Sequence, residues 1–98
     1  MKRKNGRKSR KCEGVNSGVD LNRNYDISWE SNPSYDKQEC GATFRGPSPF
    51  SEPETRTMRD FILANADTLK FIVNYHSYGN IFLVPYSGNN TKLKLTAQ

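Results

Sequence analysis

Apolar residues are concentrated in one stretch of the chain, residues 61–86, whereas residues 1–50 are rich in glycine, asparagine, serine, proline and charge. The first half has few periodic apolar positions, which predicts loops with short extended pieces, one of them at residues 19–21. The apolar second half predicts regular structure packed into a core. The pattern therefore favours a folded C-terminal half preceded by a loop-rich N-terminal half.

A helix is predicted from about Glu52 to Ala66. Its start carries the signals of a capped N-terminus: Ser51 at the N-cap, Glu54 three residues later as in a capping box, and Pro53 in the first turn. Mostly apolar residues then recur at intervals of three or four, namely Met58, Phe61, Ile62, Asn65 and Leu69. This spacing puts an apolar stripe on one face of the helix.

A buried strand is predicted directly after the helix, because residues 69–75 are mostly apolar and rich in β-forming types. Gly79 and Asn80 interrupt the pattern, and residues 81–86 resume extended structure, with Pro85 confining it to an edge or a strand end. A helix leading into a buried strand is half of a βαβ unit, in which ligands bind beyond the carboxyl ends of the strands. The sequence thus predicts an α/β fold with a site near His76.

The net charge of +5 over 98 residues comes from one basic run, because residues 2–11 carry seven lysines and arginines and leave −2 for the rest. A chain of this length forms one small domain. One interpretation of the run is a nucleic-acid-binding arm, since such clusters attract phosphate. No aromatic residue is interleaved to stack on bases, so a solvated basic loop is favoured. No apolar run reaches membrane-spanning length, so a membrane is not an expected partner.

The cysteines and the histidine leave their roles open. Cys12 and Cys40 would form one disulfide in a secreted protein and two free thiols in the cytosol. No C-x-x-C motif is present and no histidine lies beside a cysteine, which disfavours a Cys/His zinc site. His76 is the only histidine. A lone histidine is more often structural than a ligand, and a catalytic zinc usually takes three protein ligands plus water.

Asn22 and Arg23 place an amide and a guanidinium side by side after the short piece at residues 19–21. This pair suits a carboxylate, because arginine binds it through two hydrogen bonds and asparagine adds a neutral donor. The alternative is a polar turn in which Asp20 or Asp26 simply pairs with Arg23. The residue types alone do not separate the two interpretations.

Three blocks of the chain, residues 18–26, 45–55 and 74–78, resemble in the same order the zinc metallocarboxypeptidases related to pancreatic carboxypeptidases A and B. Residues 83–86 continue the match. The resemblance implies a hydrolase that removes the C-terminal residue of peptides with the help of zinc. It also implies an α/β/α sandwich around a mixed sheet, of which residues 1–98 would be a partial catalytic domain lacking its N- and C-terminal parts.

The resemblance implies roles for five polar residues. His76 would be a zinc ligand, and Asn22 and Arg23 would clamp the terminal carboxylate of the substrate. Arg3 would stabilise the oxyanion that forms on the scissile carbonyl, where a fixed positive charge is effective. Asp20 would orient a zinc-bound histidine from the second layer around the metal.

The resemblance also implies that Ser77 and Tyr78 line the substrate cleft and that Cys12 and Cys40 form a disulfide. A disulfide in turn implies an extracellular or vacuolar/lysosomal setting. The partners implied are peptide or protein C-termini, with nucleic acid not expected.

The family's His-x-x-Glu pair of zinc ligands and its general-base glutamate have no counterpart in these 98 residues. The zinc site is therefore incomplete in this chain, and the isolated piece is expected to be inactive. The alternative function is a non-catalytic module of the same fold that binds peptide C-termini. A third, less favoured, is nucleic-acid binding through residues 2–11.

Overall fold

The computed structural model of the protein describes residues 2–77 and 79–83. Among these residues, regular structure consists of two short 3₁₀ helices, Gly14–Asn16 and Leu21–Arg23, and one α-helix, α1, at Pro53–Ala64. None of the helices in this part of the chain is long and apolar enough to cross a membrane.

Helix α1 confirms the predicted helix, but its N-terminus differs from the predicted capping box. Glu52 is the N-cap residue, with an extended backbone, and Pro53 occupies the first turn. Ser51 thus lies one residue outside the helix, and its hydroxyl donates to Glu52 Oε1 at 2.8 Å. The backbone N–H at the start of the helix finds its acceptor elsewhere in the chain, because the Glu52 N–H donates to Asn24 Oδ1 at 3.2 Å.

The buried residues lie within the first 55 residues, opposite to the prediction from apolar content. Four buried residues are apolar, namely Cys12, Val19, Trp29 and Phe44, and five are polar or charged, namely Lys4, Asp20, Asn24, Glu52 and Thr55. The loops of this half are predicted correctly, but they enclose a small core. They do so because the polar residues inside it are hydrogen-bonded, which removes most of the cost of burying them.

The segment predicted as a buried strand, residues 69–75, forms no strand in the structure. Phe71 is 81% exposed, and Ile72, Val73 and Tyr75 are also exposed. A strand exists only when a neighbour takes up its backbone N–H and C=O groups. Within the described residues the only β-pairing is one isolated bridge between Asp36 and Phe44, so this segment has no partner.

Two further segments predicted to be extended also form no strand among the described residues. Residues 19–21 do not form a strand, because Leu21 already begins the second 3₁₀ helix. The second extended segment was expected at residues 81–86, of which residues 84–86 lie outside the described part of the chain. Residues 81–83 form no strand. The expected sandwich around a mixed sheet stays a prediction.

The disulfide is confirmed: Cys12 and Cys40 are bonded, with their Cα atoms 5.4 Å apart and a separation of 28 positions in sequence. Closing a loop of this size stabilises a fold by about 3 to 4 kcal/mol in the chain-entropy account. Lys4 joins the same two chain sections, because its Nζ donates to the carbonyls of Asn16 at 2.6 Å and Glu39 at 2.7 Å. The N-terminal segment is thereby held to both sides of the disulfide loop.

Lys4 is a buried cation in this network. Its Nζ lies 5.5 Å from the centre of the Phe44 ring, a cation–π distance. Burial lowers the pKa of Lys4, and the carboxylates of Asp36, Glu39 and Asp20 counteract part of that effect. Because Lys4 is fixed at several points, the position of the neighbouring residue Arg3 is restricted as well.

Candidate functional site

The structure brings together Arg3, Asp20 and Arg23, which are predicted site residues from separate parts of the sequence. Arg3 Nε donates to Asp20 Oδ2 at 2.7 Å, and Arg23 Nε lies 4.0 Å from the same oxygen. The Asp20 side chain is only 5% exposed, whereas that of Arg3 is 48% exposed. A buried carboxylate thus holds one partly exposed arginine firmly and stands near a second. We call these three residues the arginine cluster.

A tight turn places the second arginine of the cluster. Asp20 caps the 3₁₀ helix Leu21–Arg23, since its side chain accepts from the Asn22 N–H at 3.3 Å and its carbonyl accepts from the Arg23 N–H at 2.9 Å. Aspartate is favoured at such a position because its short side chain reaches the backbone two residues on. The side chain of Asn22 is exposed beside it. The turn therefore fixes the backbone of Asn22 and Arg23, whose joint role toward a carboxylate stays a prediction.

The guanidinium of Arg23 has few protein partners. Its Nη1 donates to the Asn22 carbonyl at 3.1 Å, and its Cζ lies 5.2 Å from the centre of the Tyr35 ring. Its Nε is buried and has no hydrogen-bond partner among the residues that the structure describes. The polar-turn interpretation allows Arg23 to pair with Asp20 or with Asp26. The pairing with Asp20 is long, at 4.0 Å, and no ion pair joins Arg23 to Asp26 among the described residues. Nη2 of Arg23 makes no hydrogen bond in this part of the chain, so it is the nitrogen left for another anion.

The charges of the arginine cluster favour an anion. Two guanidinium groups surround one carboxylate, so the cluster carries one net positive charge. Asp20 uses Oδ2 for Arg3 and Oδ1 for the backbone of Asn22. Since neither arginine is fully buried, an incoming carboxylate can reach donors that Asp20 does not use. Chemically, this arrangement can bind and orient a carboxylate or another planar anion.

The predicted zinc ligand, His76, is not part of this cluster, and neither is Ser77, which was predicted to line the substrate cleft. His76 and Ser77 are exposed in a segment without regular structure, and Tyr78 lies outside the described residues. His76 shares no hydrogen bond or ion pair with Arg3, Asp20 or Arg23. In the part of the chain that the structure describes, no group of three histidine, cysteine, aspartate or glutamate residues could hold a metal ion. One histidine does not fit a complete zinc site.

Asn24 is a residue of the site region to which the sequence analysis gave no role. It is fully buried. Its Nδ2 contacts three acceptors, the carbonyls of Arg45 at 2.9 Å and Ser48 at 3.0 Å and Ser51 Oγ at 2.9 Å. An amide has only two hydrogens, so these acceptors share them. The donor side of Asn24 thus closes the loop between residues 45 and 51.

The acceptor side of Asn24 binds helix α1. Besides the N–H of Glu52, Asn24 Oδ1 accepts from Thr55 Oγ1 at 2.7 Å. The side chain therefore acts as an N-cap supplied from another part of the chain. One feature of the sequence could have indicated this contact: Thr55 lies three positions after the N-cap residue, so its hydroxyl faces the start of the helix. That signal does not identify which distant residue the hydroxyl contacts.

Glu52 ties the segment of Arg3 to the same helix end. Its Oε1 accepts from Arg7 Nη1 at 2.7 Å, and its Oε2 accepts from Asn5 Nδ2 at 2.7 Å. Burial by itself would raise the pKa of Glu52, but hydrogen bonds from Asn5, Arg7 and Ser51 and the charge of Arg7 outweigh burial and lower it. Glu52 is thus held as a carboxylate at the N-terminus of the helix, although its side chain makes no capping hydrogen bond to the helix backbone.

Gly18 explains how the two functional segments pass so close to each other. Asn5 N donates to the carbonyl of Val19 at 2.9 Å, and Asn5 Oδ1 accepts from the N–H of Val19 at 2.9 Å. Gly18 has a φ of +102°, and a Cβ there would lie 2.4 Å from the carbonyl oxygen of Asn5. Only glycine suits both the backbone angle and the approach.

Comparisons with known proteins give a consistent result. The family described as zinc carboxypeptidase matches residues 1–97. The chain is similar to mast cell carboxypeptidase A of Mus musculus, 42% identical over 86 residues, which is 88% of this chain and 20% of that protein. It is also similar to carboxypeptidase O of Bos taurus, 41% identical over 88 residues, 88% of this chain and 23% of that protein.

A third relative carries the name of another branch. Carboxypeptidase B of Rattus norvegicus is 40% identical over 70 residues, which is 71% of this chain and 17% of that protein. The chain thus spans about a fifth of the length of the curated relatives it matches.

Proposed function

Because the chain belongs to the zinc carboxypeptidase family, we propose that it supplies the carboxylate-binding side of an enzyme that removes the C-terminal residue of peptides. The observation that carries this proposal is the arginine cluster, in which the partly exposed guanidinium of Arg23 makes a single hydrogen bond among the described residues, beside the exposed residue Asn22. The substrates proposed are peptide or protein C-termini.

Asn22 and Arg23 bind the terminal carboxylate of the substrate in this proposal. A guanidinium matches a carboxylate through two parallel hydrogen bonds, and the amide adds a third donor without adding charge. A carboxylate of this kind occurs only at the end of a peptide, because internal residues carry amides instead. The pair therefore restricts cleavage to the last residue.

Arg3 stabilises the oxyanion on the scissile carbonyl. Its Nε is taken by Asp20, and its half-exposed side chain keeps the remaining guanidinium nitrogens for the substrate. A charge held in place before the reaction stabilises a developing negative charge without having to reorganise. Asp20 in this proposal orients Arg3 directly, in addition to the role toward a zinc-bound histidine that the family resemblance implies.

His76 is the zinc ligand that this chain contributes, with Ser77 and Tyr78 beside the substrate cleft. Zinc bound by a full ligand set supplies a Lewis acid and an activated water. The described residues do not provide such a set, so our proposal assigns to this chain only binding and charge stabilisation. The disulfide supports an extracellular or vacuolar/lysosomal setting for the protein.

The basic run supports nucleic-acid binding less well than its composition suggests. Arg3 is paired with Asp20 and Arg7 with Glu52, and Lys4 is buried. Three of the seven basic residues are therefore engaged in holding the fold. This use of the charges favours the carboxypeptidase proposal over the nucleic-acid alternative.

The test uses the protein at the full length that its gene encodes, with zinc. The substrates are N-acylated dipeptides that differ in their last residue, each compared with its C-terminal amide. We expect release of the last residue from the free acids, no reaction with the amides, and loss of activity on chelation. Binding without cleavage would instead support the non-catalytic module. Equal cleavage of acids and amides would contradict the carboxylate clamp.

A point substitution sharpens the test. Arg23→Lys keeps the charge and removes the planar pair of donors, so KM for the free acids is expected to rise about 10- to 100-fold. Arg10→Lys is the matched control, because Arg10 is exposed in the basic run and no role is proposed for it. An unchanged KM for Arg23→Lys would contradict the role of this residue.

A further inference from the structure

We propose that Asn24, held by Thr55 of helix α1, is the positioning residue that fixes the carboxylate clamp of Asn22 and Arg23. This inference rests on the proposed function. It adds that the start of helix α1 determines the affinity of the site, although the clamp itself contains no helix α1 residue. Four observations support it.

The first observation is that Asn24 is enclosed and hydrogen-bonded on every side. Its side chain is fully buried and takes part in five hydrogen bonds, three through Nδ2 and two through Oδ1. Its backbone carbonyl accepts in addition from the N–H of Phe50 at 2.7 Å. A side chain with all its hydrogen-bonding groups used inside a buried network has one available position.

The second observation is that the turn carrying the clamp is fixed at both ends. At its end, Asn24 N donates to the Leu21 carbonyl at 3.1 Å. At its beginning, the Asp20 N–H donates to the Phe44 carbonyl at 2.9 Å, and the Asp20 side chain binds Arg3. Only two residues, Asn22 and Arg23, lie between Leu21 and Asn24. A displacement of Asn24 must therefore move the Arg23 backbone.

The third observation is that the surroundings of Asn24 are themselves rigid. Arg45, whose carbonyl accepts from Asn24, lies with its guanidinium carbon 3.8 Å from the centre of the Trp29 ring. Trp29 Nε1 donates to that same carbonyl at 3.1 Å. A Cβ at Gly46 would lie 2.6 Å from Asn24 Nδ2, so the amide fills the space available. Supporting groups of this kind hold functional side chains in a productive geometry.

The fourth observation is that Thr55 controls Asn24 from outside the site. Thr55 is buried, and its hydroxyl donates to Asn24 Oδ1 at 2.7 Å, with the Glu52 carbonyl at 2.9 Å as a second acceptor. It has no contact with Asn22 or Arg23 among its hydrogen bonds. A substitution that removes only this hydroxyl therefore tests positioning without altering the clamp.

The experiment compares Thr55→Val, which removes the hydroxyl at nearly constant volume, with Thr55→Ser, which keeps it. The matched control is Thr57→Val, because the Thr57 hydroxyl bonds only within the helix, to the Pro53 carbonyl at 2.9 Å, and is exposed. With the full-length protein and its best free-acid substrate, we expect Thr55→Val to raise KM about tenfold at unchanged kcat. Thr55→Ser and Thr57→Val are expected to behave like the wild type.

The division between KM and kcat distinguishes positioning from loss of folding. A purely structural role would leave fewer folded molecules, which lowers the apparent kcat per total protein and leaves KM unchanged. That result, or an unchanged KM in a folded Thr55→Val protein, would overturn the inference. If Thr55→Val does not fold, Ser51→Ala removes one acceptor of Asn24 and is expected to raise KM about threefold; an unchanged KM there would also overturn it.

A wild-type protein that cleaves nothing refutes the proposed hydrolysis but not the inference. In that case the dissociation constants of the same free-acid peptides, with their amides as controls, replace KM in calorimetry. We then expect the tenfold loss of affinity in Thr55→Val. A wild type that binds no free acid more tightly than its amide would overturn the clamp and the inference together.

Discussion

Residues 2–55 and residues 56–83 bury their side chains in a way opposite to their composition. The first region is polar, yet every buried residue of the described chain lies in it, including the polar side chains Asn24, Glu52 and Thr55. The second region is the more apolar one, yet it exposes Phe71 and Phe82 almost fully. The difference teaches that burial follows from the presence of partners within the chain. Apolar composition alone does not produce it.

The partners in the polar region are covalent and hydrogen-bonded. The disulfide closes a loop of 28 positions, and Lys4, Asn24 and Glu52 connect segments that are far apart in sequence. In a small core such cross-links replace the contribution of a large apolar interior. The following predictions test whether these connections, rather than apolar contacts, hold the first region together.

The largest effect is expected from removing the disulfide. Replacing Cys12 and Cys40 together by serine should lower the free energy of unfolding by about 3 to 4 kcal/mol, because the unfolded chain regains the entropy of the open loop. Urea denaturation of both proteins measures the difference. Addition of a reductant is the control, since it should destabilise the wild type and leave the double variant unchanged. A loss below about 1 kcal/mol would show that the hydrogen-bond network suffices.

The next effect concerns Asn24. Asn24→Ala should lower the free energy of unfolding by about 2 to 3 kcal/mol, because it leaves the buried Glu52 N–H without its acceptor and removes the amide donor that the Arg45 and Ser48 carbonyls share. Asn22→Ala is the matched control from the same turn, since the Asn22 side chain is exposed and should cost less than about 0.5 kcal/mol. Equal losses for both variants would contradict the central place of Asn24 in the polar core.

A smaller effect is expected at Glu52, and it depends on pH. Because its pKa in the folded protein lies below the ordinary value of 4.5, the charge of Glu52 stabilises the fold above that pH. This stability is lost as the pH falls through the folded pKa, so the wild type should weaken below about pH 4.5. Glu52→Gln should cost about 1 to 2 kcal/mol at pH 7 and show less of this acid-dependent loss.

The matched control for Glu52 is Glu54→Gln. Glu54 lies in the same first turn, is exposed, and has only long contacts, at 3.4 and 3.5 Å, with Asn5 Nδ2. Unfolding by urea at pH 7 and at pH 3.5 measures both variants. If Glu54→Gln removed the acid-dependent loss as fully as Glu52→Gln, the assignment of this loss to the buried carboxylate would be wrong.

Local signals in the sequence predicted helix α1, because proline, acidic residues and a period of three to four are all contained in one segment. The pairing of Cys12 with Cys40 followed from the family resemblance. The arginine cluster was predicted as separate residues with separate roles. Its assembly around Asp20 depends on Lys4 and Glu52 holding distant segments together, and such contacts between residues far apart in sequence leave no periodic pattern.

The wrong prediction of a strand at residues 69–75 also concerns contacts between segments far apart in sequence, because here the expected contacts are missing among the described residues. An apolar, β-rich segment predicts a buried strand only on the assumption that neighbouring strands are supplied. The described part of the chain supplies none, so the pattern describes what the segment would form in a larger sheet. The roles of His76 and Tyr78 remain predictions for a related reason, since a zinc site requires ligands from several segments at once.

The smallest effect on the free energy of unfolding is expected from a substitution in the apolar segment, residues 69–75. In the 98-residue chain, Phe71→Ser should change the free energy of unfolding by less than about 0.5 kcal/mol, because the ring is 81% exposed and loses few contacts. Val19→Ser is the contrasting variant: Val19 is fully buried, so its substitution should cost about 2 kcal/mol or more.

Repeating both substitutions at the full length that the gene encodes sharpens the comparison of the two regions. A cost of about 3 kcal/mol for Phe71→Ser there would show that other parts of the protein cover this segment. A cost of that size in the 98-residue chain would instead contradict its exposed position.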